Sequence, residues 1–88
     1  MIVLISGDGK YMVEGESVDN IMENGRRLFA LLKESNYEEF STSLKKLHEF
    51  VKESGREVEI YRPAEIILPP IGCDPRLVQA LFGFQRKP

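Results

Sequence analysis

A chain of 88 residues makes one domain and leaves no room for a second, so a single α+β domain over 1–88 is expected. Apolar residues form 42% of the chain and charged residues 30%, a globular balance that excludes disorder over most of the length. The net charge of −2 argues against a general nucleic-acid binder, and the single cysteine, Cys73, excludes an internally disulfide-bonded scaffold.

A domain of this size hides only about 60–65% of the surface its unfolded chain exposes, so it needs tight packing or a partner. The apolar run Met1–Ile5 is too short for a signal peptide and lacks preceding basic residues, and nothing approaches the roughly 20 apolar residues of a membrane span. The expected location is cytoplasmic, with no membrane contact. Charge is uneven: residues 1–39 carry eight acids against four bases, whereas residues 60–88 carry four bases against two acids. Such polarity favours an oriented partner or self-association.

Ile2 to Ser6 and Lys10 to Glu14, separated by Gly7-Asp8-Gly9, read as a β-hairpin. The first strand is apolar on both faces, which suits an interior position in a sheet. Ser17 is the expected N-cap of a helix from about 18 to 34. Val18, Ile21, Met22, Gly25, Leu28, Phe29 and Leu32 fall within one arc of about 120° on that helix. Glu23 and Arg27 are placed for an i,i+4 ion pair on its wet side.

Asn36 followed by Glu39 has the form of a capping box and opens a second helix, about 37 to 53. Its apolar seam is Tyr37, Phe40, Leu44, Leu47 and Val51, and Gly55 is expected to close it in a left-handed conformation. The short link makes the two helices antiparallel neighbours. Glu57–Tyr61 alternates, with Val58 and Ile60 on one face, as a half-buried strand does. Ile66–Leu68, hemmed by Pro63 and by Pro69-Pro70, fits an edge strand or extended connector. Asp74-Pro75 starts a short third helix with Leu77, Val78, Leu81 and Phe82 on its apolar face. Gly83 is expected to end it, leaving 83–88 as a frayed tail. The element order is β-β-α-α-β-(β)-α: a small antiparallel or mixed sheet with the helices on one face.

No set of residues specifies chemistry. Gly7-Asp8-Gly9-Lys10 lacks the preceding glycine and the following hydroxyl of a phosphate loop, since Leu4 and Tyr11 stand at those positions. His48, the only histidine, lies at the edge of the second helix's seam, where a hydrogen-bonded structural role is expected. One Cys and one His provide no metal-ligand spacing. Cys73 precedes a helix N-cap, whose dipole lowers a thiol pKa, but the neighbouring Asp74 raises it, and a packed inert thiol is expected. No catalytic, cofactor-binding or metal-binding residue is assigned. Gly25 sits inside the apolar arc of the first helix at a cost of up to about 1 kcal/mol relative to Ala. Close approach of the second helix or the sheet would explain it, and so would approach of another chain.

From Asp8 to Leu31, the Asp-Gly turn, the lead-in Glu14-Gly15-Glu16-Ser17 and the amphipathic helix resemble HicB-type antitoxins, over about a quarter of the chain and without a diagnostic residue. Two functional expectations follow. The first is a non-catalytic protein-interaction module or complex subunit, self-associating through Gly25 or the Phe82–Phe84 end. The alternative is a small nucleic-acid-associated regulator, antitoxin-like, that uses the basic C-terminal region through Arg76, Arg86 and Lys87.

Overall fold

The computed structural model describes the backbone of residues 1–86 and the side chains of residues 1–80. β1 (Ile2–Ile5) and β2 (Gly9–Met12) form the antiparallel hairpin, with Val3 opposite Tyr11 and Ile5 opposite Gly9. Gly7, at φ 84°, supplies the positive-φ residue that the tight turn requires.

α1 (Glu16–Lys33) begins earlier than a Ser17 cap implies. Gly15 is the N-cap at φ 67°, a conformation that suits glycine, and no side chain caps this end. Ser17 therefore lies inside the first turn, where Glu16 and Asp19 suit the positive end of the helix dipole. At the other end Asn36 N donates to Leu31 O (2.9 Å) and Ser35 N to Leu32 O (3.0 Å), the paired bonds of a Schellman closure. Ser35 occupies its left-handed position at φ 58°.

α2 (Tyr37–Ser54) runs back antiparallel to α1. Asn36 Oδ1 accepts from Glu39 N at 3.4 Å, but the reciprocal half of the capping box is missing. The Glu39 carboxylate instead accepts from Arg27 on α1 at 3.1 Å, and this contact across the helix pair replaces the expected Glu23–Arg27 pair. Gly55 closes α2 in extended conformation, φ −102°, rather than left-handed. Its role is close approach: a Cβ there would lie 2.8 Å from Val51 O and 3.0 Å from Met12 O.

β3 (Arg56–Val58) pairs antiparallel with β2, and β4 (Ile66–Leu68) pairs parallel with β1. The order β3-β2-β1-β4 makes the sheet mixed, with β1 inside it and β4 at an edge. β3 is shorter than the alternation of Glu57–Tyr61 implies. Its last partner is Lys10, one residue from the start of β2 at Gly9, so the ladder runs out there. Glu59–Arg62 instead forms a turn closed by Arg62 N to Glu59 O (3.2 Å), with Ile60 66% and Tyr61 79% exposed.

α3 (Pro75–Arg86) is capped by Asp74, whose Oδ1 accepts from Arg76 N at 3.0 Å. It passes through Gly83 to Arg86 where a frayed tail was expected, because an isolated glycine weakens a helix without breaking it. The side chains of Phe82, Phe84, Arg86 and Lys87 lie outside the described residues.

The core lies between the sheet and the α1–α2 layer. Val3 and Ile5 from β1 meet Ile21, Leu28 and Leu32 of α1 and Phe40, Leu44, Leu47 and Val51 of α2, all buried. Alternation along β1 turns Ile2 and Leu4 to the opposite face. There the Lys10 ammonium donates to the Arg62 carbonyl, while in the plane of the sheet Glu65 N donates to Ile2 O at 2.8 Å. The link from β3 to β4 is thereby tied down across that face, where Ile2 is buried.

Candidate interaction surface

The apolar arc of α1 is wider than the face the core consumes. Ile21, Leu28, Leu31 and Leu32 are buried, whereas Met22 is 42% exposed and Gly25 and Phe29 are partly exposed. Leu31, just outside the arc read from the sequence, belongs to the core, and the opposite edge of the arc does not. The helix is therefore rotated about its axis, and one edge of its apolar stripe is turned outward.

That edge borders a groove of about 530 Å³ along the flank of α1. Ile66 and Leu68 of the edge strand β4 form its other wall, because their register with Val3 and Ile5 turns them to the helical side of the sheet. On α1 the lining runs from Ile21 to Lys33, about three turns of helix. Among the described residues nothing comes within 4 Å of a Cβ placed on Gly25. The close approach by α2 or the sheet expected at Gly25 is absent, because this part of α1 faces the groove rather than its neighbours. Arg26 and Lys33 are the charged residues of the lining, and no described carboxylate belongs to it.

A model of the family described as PspA-associated protein matches residues 1–85. The chain belongs to the PspA-associated protein family. No curated protein matches it, and no solved structure does.

For this member of the PspA-associated family, the remaining candidate residues have structural surroundings. His48 is buried on α2, and its Nε2 lies 2.8 Å from Pro69 O, which fastens the segment after β4 to the helix. Cys73 packs half-buried against the core; burial pushes its thiol above the ordinary pKa, the Asp74 charge adds to this, and a hydrogen bond from its own backbone opposes it. The thiol is thus not activated as a nucleophile. Arg76, offered for phosphate contact, lies over the Tyr37 ring at 5.7 Å. Among the described residues no three His, Cys, Asp or Glu side chains are grouped to hold a metal ion, and no helix is long and apolar enough to cross a membrane.

The hairpin turn is fastened to α2 by a polar cluster that residue spacing does not reveal. Lys52 pairs with Asp8, which also accepts from the Tyr11 hydroxyl at 2.9 Å. The Lys52 hydrogen bond, followed by that of Tyr11, holds the Asp8 carboxyl below its ordinary pKa. The same bond raises the pKa of Lys52, and Asp8 raises that of Tyr11.

Proposed function

We propose that the protein is an interaction subunit that binds PspA, the protein named in the description of its family. The observation that carries this reading is the extent of the match: residues 1–85 take in all four strands, α1, α2, all but the last residue of α3, and both walls of the groove. Among the described residues Met22 of α1 is 42% exposed at the groove, which supports it, since apolar surface left outside the core commonly marks an interface. The nucleic-acid alternative is not favoured, because the family description concerns a protein and Arg76 lies against Tyr37. The test is sedimentation of the purified protein with PspA of the same organism. Co-migration at micromolar concentration is expected, and separate migration would overturn the reading.

Self-association is a second part of the proposal, supported by the exposed Ile60, Tyr61 and Ile67. Sedimentation of the protein alone should give about twice the 10.1 kDa monomer mass. A constant monomer mass across concentration would remove this part and leave PspA binding standing. The proposed location is the cytoplasm, tested by cell fractionation.

A further inference from the structure

The groove beside α1 combines three properties. It is apolar along its length, with Met22, Phe29, Ile66 and Leu68 in its lining. Its wall drops at Gly25, where a neighbouring backbone can approach. Its charge is of one sign: on a chain of net charge −2, the lining holds Arg26 and Lys33 and no described carboxylate. Both cations are exposed, and neither makes an ion pair or side-chain hydrogen bond among the described residues. They stand seven residues apart, about 10 Å along the helix axis.

We propose that this groove receives an amphipathic α-helix of PspA, with its apolar stripe against Met22, Ile66 and Leu68 and its flanking carboxylates against Arg26 and Lys33. The assignment rests on PspA being the partner. Charge complementarity decides the chemistry, because a basic flank would meet two cations while an acidic flank neutralises them. The dimensions decide the conformation. Three turns of α1 offer a wall about 18 Å long, which a second helix packed alongside can follow. A strand added to the sheet edge would find only the three residues of β4, bounded by Pro63 and Pro69. The low wall at Gly25 is where the two helix backbones come closest.

The experiment measures PspA affinity for four forms of the full chain, with hydrogen exchange on the bound PspA. Gly25→Leu fills the groove while favouring the helix, so it should fold and melt no lower than the native chain. The double variant Arg26→Glu/Lys33→Glu reverses the rim charge. Lys45→Glu/Lys46→Glu, on the exposed side of α2, is the control. Both groove variants should bind at least about tenfold more weakly. The control should bind within about twofold of the native chain, and raised salt should narrow the deficit of the rim variant more than that of Gly25→Leu. The protected segment of PspA should be a helix with Asp or Glu beside its apolar stripe.

Native binding with undiminished affinity in both groove variants would overturn the groove and leave PspA binding standing. A control that loses as much as the rim variant, or a protected segment that is extended or flanked by bases, would also overturn the assignment. Failure of the native chain to bind would remove the PspA reading itself, and the groove assignment with it.

Discussion

The hydroxyl of Tyr37, at the start of α2, donates to Oε1 of Gln79 on α3 at 2.5 Å. The amide of the same Gln79 donates to Leu32 O (2.5 Å) and to Ser35 Oγ (3.0 Å). One side chain of α3 thus fastens to the end of α1, the link and the start of α2. Removing it takes the partner from the partly buried Tyr37 hydroxyl, at a cost of about 1–3 kcal/mol, while Leu32 O keeps its bond from Ser35 N. Gln79→Ala should lower stability by about that much, with hydrogen-exchange protection falling in α3 before α2. Unchanged protection in α3 would show that apolar contacts alone hold it.

Leu44 and Leu47 are each 2% exposed and lie in the α2 seam against the sheet. Leu44→Ala or Leu47→Ala should cost about 2–5 kcal/mol, from lost burial and the cavity left behind. Denaturant melts showing a loss under about 1 kcal/mol would mean that the seam collapses without penalty.

Two glycines should respond with opposite sign. Gly25→Ala adds a methyl to open space and removes a helix defect, so it should stabilise by about 0.5–1 kcal/mol. Gly55→Ala places its methyl 2.8 Å from Val51 O, backbone that cannot rotate away, and should destabilise by about 1–3 kcal/mol. Thermal melts of the two variants decide the matter, and equal shifts would contradict the stated surroundings of both.

The Asp8 carboxyl has its pKa lowered by the Lys52 and Tyr11 hydrogen bonds. A carboxyl whose pKa is lower in the folded state contributes stability above its unfolded value of about 3.9 and loses it as pH falls through the folded value. Asp8→Asn should therefore be less stable than the native chain at neutral pH, and the gap should close on acidification below about pH 4. Because the pair is exposed, added salt should narrow the gap as well. A gap that widens in acid would have the wrong sign.

Burial raises the Cys73 thiol, so iodoacetamide should react slowly with it at neutral pH and faster as pH rises. Cys73→Ser should retain the fold and PspA binding. Rapid alkylation at neutral pH accompanied by loss of binding would give the thiol a role that its surroundings do not provide.

Much of the architecture is set by local chemistry that can be read along the chain. The apolar periods of α1 and α2, the turn at Gly7, the Asp74-Pro75 start and the proline-bounded β4 each depend on a few neighbouring residues. Interior placement of β1 followed from its apolar character on both faces. Tertiary packing decided the rest. Whether β3 continued to Ile60 depended on where its partner ended, and whether Arg27 paired with Glu23 or Glu39 depended on how the helices met. The rotation of α1 depended on which side of its apolar arc the sheet could cover. Periodicity defines the width of such an arc but not how much of it the core uses, so Gly25 is visible in the sequence while the groove beside it is not.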